Sequence, residues 1–152
     1  MMKSESKGRS GKRMNLTVDS SIFVSALRKD EEKHAKSLAL FRKIKDGEHI
    51  AIEPYSVLVK VVAAIRRRTD DMALAKRVKD DFLNIDTLNF VEIGDVLAEG
   101  AAEIAAKIGV RGMDALIIQT AKEYNDSLVS FDDEMAERAK EVVKIADIEK
   151  LI

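Results

Sequence analysis

From residue 16 onward, short apolar runs of strand length alternate with periodic segments of helix length, and that alternation limits the possible folds more than any other feature. The strand candidates are Leu16–Val18, His49–Ile52, Thr87–Val91, Leu128–Phe131 and Val142–Ile145. Between them, Ala35, Leu38, Phe41 and Ile44 recur every three residues, and Leu97, Ala101, Ile104 and Ile108 follow four-three-four spacing. Each set makes one buried helical stripe. Gly47 and Gly109 stand where a left-handed helix cap is expected, and Pro54 where a first helical turn begins. Strands joined through helices run parallel, and a parallel sheet is covered on both faces. The prediction is an α/β fold whose mostly parallel sheet has these five short strands, in a single domain over residues 15–152.

Composition then narrows the function classes. A 152-residue chain that is 46% hydrophobic supports one sizeable core. Charged residues reach 35%, yet the net charge is −1, so bulk charge announces neither a nucleic-acid nor a membrane binder. No window approaches the roughly 18 apolar residues of a membrane span. The first residues lack the apolar core of a signal peptide, and the expected location is cytoplasmic. The absence of Cys excludes disulfides and thiolate metal sites. With five Phe, two Tyr and no Trp, little material is left for a base-stacking platform. Residues 1–14, "MMKSESKGRSGKRM", read as a flexible basic arm outside the fold. Val57–Ile65 and Ala115–Ile118 are apolar nearly all round. Helices without a wet face are packed on several sides, within the domain or against a second copy, so a homodimer is compatible with the sequence.

Three acids carry the chemical interest. In an open parallel sheet, ligands sit outside the carboxyl ends of the strands. Asp19 directly follows the first strand in "LTVDSSIFVSAL", and Asp132 follows "SLVSF". Asp114, in "GMDALIIQTA", falls in the first turn of a helix that enters from the same edge of a doubly wound sheet. Each also has a plain structural role: Asp19 and Asp132 can cap helices, and Asp114 suits a helix N-terminus. Capping and ligation are compatible. Three such charges brought together repel by about 4 kcal/mol per close pair in a partly shielded site, so the cluster persists when a cation neutralises it. All-oxygen ligation suits Mg²⁺ or Mn²⁺. His34 and His49 do not form a metal-binding pair and are expected at the surface.

Taken together, "LTVDSSIFVSAL", "PYSVLVKVVAAIRRR" and "GMDALIIQTAKEYNDSLVSFDDEMAERA" resemble the PIN-domain ribonucleases, in particular the VapC-type toxins of toxin–antitoxin pairs. The resemblance runs from about Asn15 to the C-terminus. It implies a three-layer α/β/α Rossmann-like fold, a homodimer, one or two Mg²⁺ or Mn²⁺ ions held on four acids, hydrolysis of RNA, and a small antitoxin protein as partner. By the same resemblance Asp19 corresponds to the first acid and Ser20 to the small hydroxyl residue after it. Asp114 corresponds to the acid of the third motif, and Asp132 to the last acid, with Ser130 as its hydroxyl companion. The second acid departs from the pattern. Where the family has a Glu six positions after the Pro, this chain has Lys60.

An ammonium among apolar residues is costly unless paired, and the aspartates are its obvious partners. Three outcomes stay open: Lys60 quenches metal binding, or one weakly held ion remains on Asp19, Asp114 and Asp132, or Glu53 at the end of the second strand supplies the missing acid. A paired Lys60 with weakened metal affinity is the reading adopted. Glu53 otherwise reads as an exposed residue before a proline. Arg66–Arg68 close the apolar helix, either as C-terminal cations or as contacts to RNA phosphates or a second subunit. The resulting expectation is a metal-dependent endoribonuclease. The alternatives are a degenerate PIN-fold scaffold that binds RNA or protein without cutting, and a PIN nuclease of RNA processing.

Overall fold

The computed structural model describes residues 12–152. Most of the expected basic arm therefore lies outside the described residues. At its end Met14 is already tied down: its N–H donates to His49 Nδ1 at 3.1 Å and its carbonyl accepts from the Ile50 N–H.

The elements follow in the order β1 (Asn15–Val18), α1 (Ser20–Leu27), α2 (His34–Lys45), β2 (Ile50–Pro54), α3 (Tyr55–Thr69), α4 (Met72–Leu83), β3 (Leu88–Val91), α5 (Asp95–Ile108), α6 (Gly112–Glu123), β4 (Ser127–Val129), α7 (Asp133–Ala139) and β5 (Lys144–Ile145). Among the described residues five strands form one sheet in the order β3-β2-β1-β4-β5, every neighbouring pair parallel. The fold is a three-layer α/β/α sandwich, as expected. Right-handed crossovers put α1 to α4 on one face and α5 to α7 on the other. α1 packs on α2 and α3, α3 on α4, and α5 on α6, while α6 crosses β1 and β2. The chain moves outward from β1 to β3, then returns through α5 and α6 to the other side of β1. The strand order thus reverses between β1 and β4, and a crevice opens there at the carboxyl ends.

Local sequence explains most boundaries. Gly109 ends α5 at φ 73° and Gly47 follows α2 at φ 80°, both in the left-handed region that glycine enters at low cost. Pro54 closes β2 and stands just before α3, where its missing N–H costs nothing. α4, a helix not singled out in the sequence, buries Ala75, Val78 and Phe82 and is capped by Asp71, whose carboxylate accepts from the Leu74 N–H at 2.9 Å. Phe82 completes an aromatic cluster with Phe23 and Phe41, with ring centroids 5.3–5.7 Å apart. Three of the five phenylalanines are thereby committed to the core under α1, α2 and α4.

The expectation that both histidines lie at the surface needs correction. His49 is 5% exposed rather than a surface residue. Its Nδ1 accepts from Met14, so Nε2 carries the hydrogen and donates to the Leu151 carbonyl at 2.9 Å. One imidazole thus joins the entry to β1 with the end of the chain. His34 is half-buried at the start of α2, its Nδ1 2.8 Å from the Ser25 carbonyl. α3, for which packing within the domain and packing against a second copy were both open, is not enclosed by its own domain. Val59 is 65% exposed and Met72 of α4 is 60% exposed. With Leu58, Val62, Ala63 and Ala75 they line an apolar groove of about 470 Å³, rimmed by Arg66, Lys76 and Lys79. Ala115, Ile117 and Ile118 of α6, by contrast, are fully packed inside.

Replacing His49 by Ala strands the half-buried Met14 N–H and the buried Leu151 carbonyl. The expected loss is about 2–3 kcal/mol, read as a lower urea midpoint with an unchanged slope.

Candidate active site

Asp19 is the residue on which the rim is built. It follows β1 and occupies the N-cap position of α1 with extended backbone angles, yet its side chain makes no cap hydrogen bond. Oδ2 instead accepts from Ser130 Oγ at 2.8 Å and, more weakly, from Ser21 Oγ at 3.4 Å. Ser130 Oγ in turn accepts from the Asp132 N–H at 2.9 Å. A hydroxyl after β4 therefore orients the carboxylate after β1, across the point where the strand order reverses. Ser20 is buried in the first turn of α1, and its neighbour Ser21 is the hydroxyl that reaches Asp19. The resemblance named Ser20 for this place and did not single out Ser21.

Asp132 caps α7: its Oδ1 accepts from the Met135 N–H at 3.0 Å. Asp114 sits in the first turn of α6, as its sequence context predicts. Burial raises its pKa first, and the charges of Asp19 and Asp132 raise it further, against the opposing pull of Lys60 and Arg111. Asp114 thus senses both other acids and two cations. A cavity of about 180 Å³ opens beside Asp114 and Asp132, with Gly109, Val110, Arg111, Glu134, Met135 and Arg138 as its remaining walls. Arg111 and Arg138 went unnoticed in the sequence, where no spacing distinguishes them from other surface cations. Arg138 is braced on the Ile108 carbonyl at 3.0 Å.

The donor set fits a hard divalent ion in kind, since every donor is oxygen and Asp19 keeps Oδ1 free of hydrogen bonds. The spacing is not closed: among the described residues no three His, Cys, Asp or Glu side chains stand near enough to share an ion. Asp132 contributes to this by turning one oxygen toward its own helix.

Lys60 differs from the paired ammonium expected of it. It is exposed on α3 and forms no ion pair among the described residues; its effect on Asp114 is exerted through space. Its apolar sequence neighbours explain the discrepancy, because Val59 is exposed as well and the helix face they share is open to water. Glu53 also departs from the exposed residue expected before Pro54. It is 0% exposed, and its Oε2 accepts from the Val18 N–H at 2.7 Å. Burial above all, then the charges of Asp19 and Asp126, raises its pKa well above the usual carboxylate range. Asp126, before β4, is buried too and accepts from Thr17 Oγ at 3.0 Å. Desolvation pushes its pKa up to about 6.

Comparison with known proteins agrees with this architecture. A family model described as PIN domain matches residues 16–141. No curated protein matches the sequence. Among solved structures, VapC20 of Mycobacterium tuberculosis, a sarcin–ricin loop cleaving toxin, is similar at a TM-score of 0.69 and 16% identity, covering 88% of this chain and 99% of its own. VapBC2 of Rickettsia felis, bound to a DNA fragment from its promoter, gives 0.62 and 16%, covering 88% and 98%. FitAcB of Neisseria gonorrhoeae gives 0.65 and 15%, covering 90% and 99%. Among the described residues no helix is long and apolar enough to cross a membrane.

The Asp126 carboxyl gives a stability prediction with a definite sign. Its folded pKa lies above the ordinary 3.8, so the folded state holds a proton that the unfolded state has lost between about pH 4 and 6. The associated stability, about 3 kcal/mol, is complete below pH 4 and lost as pH rises through 6. Asp126→Asn, which can still accept from Thr17, is expected to be the more stable protein at pH 8 and no better at pH 4. Urea unfolding at both pH values reads this difference.

Proposed function

The chain belongs to the PIN-domain family, and on that premise we propose that it is a metal-dependent endoribonuclease hydrolysing RNA phosphodiester bonds at the rim between β1 and β4. What supports this reading most is that Asp19 and Asp132, at the ends of β1 and β4, both raise the pKa of Asp114. Asp19, Asp114 and Asp132 are the residues that would hold Mg²⁺ or Mn²⁺. Such an ion, when bound, polarises a phosphate and lowers the pKa of a coordinated water.

The protein's own groups have separable tasks. Ser130 fixes the Asp19 carboxylate in one orientation. Arg111, on the cavity wall beside Asp114, offers a guanidinium to the RNA backbone, positioning the strand without reading its sequence. Lys60, exposed and without an ion pair among the described residues, adds positive charge near Asp114 and weakens the hold on any cation there. Exposed RNA loops are the favoured substrate class, since VapC20 cleaves one. A small antitoxin protein is the favoured partner, and a second copy is the favoured occupant of the α3–α4 groove, whose apolar floor the monomer leaves wet.

A second reading, a scaffold that binds RNA or protein without cutting, is favoured by the unclosed carboxylate set and by Lys60. One assay separates them. Purified protein is incubated with loop-containing RNA and Mn²⁺ beside Asp19→Asn. The nuclease reading expects cleavage that falls at least a hundredfold in the variant, whereas indistinguishable traces for the two proteins would assign any cutting to a contaminant and favour the scaffold. Lys60→Glu is expected to tighten Mn²⁺ binding tenfold or more, because it exchanges a cation that acts on Asp114 for a further acid. Equal affinity in calorimetric titration would remove Lys60 from the account.

A further inference from the structure

We infer that Glu53 is a positioning residue for Asp19: its buried carboxyl takes the place of a main-chain acceptor at the end of β1 and fixes where the Asp19 side chain leaves the sheet. The inference rests on the reading of Asp19 as a metal-holding acid. The β1–β2 ladder pairs Asn15 with Ile50 and Leu16 with Ala51. Two residues further along, the Val18 N–H donates to Glu53 Oε2 at 2.7 Å, so a side chain from β2 continues the ladder. The next amide, that of Asp19, points the opposite way and donates to the Val129 carbonyl of β4 at 2.9 Å. Two consecutive amides are therefore gripped from opposite sides, one by Glu53 and one by β4. Asp19 needs that grip, because its side chain spends nothing on capping α1 and is held otherwise only by serine hydroxyls.

The same geometry excludes Glu53 as a replacement for the acid missing at Lys60. It is 0% exposed and has one oxygen committed to Val18. Its other oxygen, Oε1, is buried and has no hydrogen-bond partner among the described residues. A buried polar atom left in that state is costly. Stability alone would favour an apolar side chain at this position, and the role at Val18 supplies a reason for the acid.

Two variants test this. Glu53→Gln retains an acceptor for Val18, and Glu53→Met keeps the bulk without it. Amide exchange followed by NMR is expected to speed up at least tenfold at both Val18 and Asp19 in Glu53→Met, and to stay within threefold of wild type in Glu53→Gln, with Leu128 unchanged in both. Acceleration at Val18 alone, or at neither, overturns the inference. For Mn²⁺ titration and RNA cleavage, Glu53→Gln should match wild type within threefold, while Glu53→Met loses tenfold or more in Mn²⁺ affinity and in kcat at similar KM. A folded Glu53→Gln that loses tenfold in Mn²⁺ affinity would make Glu53 an ionised ligand and overturn the inference, and that arm stands even where Glu53→Met does not fold. Wild-type protein that neither binds Mn²⁺ nor cuts RNA sinks the nuclease reading, and the exchange pattern then still decides what Glu53 does to Asp19.

Discussion

The last peptide of β1 is held by three different kinds of acceptor and donor within two residues. A carboxyl from β2 takes its Val18 amide, a β4 carbonyl takes its Asp19 amide, and a serine beyond β4 takes the Asp19 carboxylate. All three are available only because β1 is central and has a parallel neighbour on each side. The sheet order is thus not background to the rim. It brings the end of β2, the end of β4 and the start of α1 to one point, and α6 crossing β1 and β2 brings Asp114 to the same side.

Charge at this rim is divided between layers. The exposed side carries acids interleaved with cations: Asp114 and Asp132 on the cavity wall, Arg111 and Arg138 beside them, Lys60 nearby on α3. Inside the domain, Glu53 on β2 and Asp126 at the amino end of β4 are buried, and burial raises the pKa of each.

Much of this was legible in the sequence, and the misses share a cause. The strands announced themselves as apolar runs between helical periods, and the acids after β1 and β4 followed from where a doubly wound sheet presents its chain. α4 was harder to see because its stripe of Ala75, Val78 and Phe82 is embedded in charged residues that read as solvated surface. Glu53 looked like a wet residue before a proline, since no local pattern reveals that the Val18 amide, 35 residues away, lacks a main-chain partner. His49 was misread for the same reason: its two partners come from Met14 and Leu151. Lys60 failed in the opposite sense. Apolar neighbours along the chain suggested burial, but on the helix they include Val59, itself open to solvent. Periodicity reports the average environment of an element, and single polar residues whose partners are remote in sequence escape it.

The imidazole of His49 also has a topological consequence. Because Met14 and Leu151 meet on one ring, at the amino end of β2, the two ends of the folded unit are neighbours on the side away from the acids. A short linker between them would close the chain into a ring without disturbing any strand, and new termini could then be cut into a surface turn. Circular permutation offers a way to move the ends around this fold while leaving the acidic rim untouched.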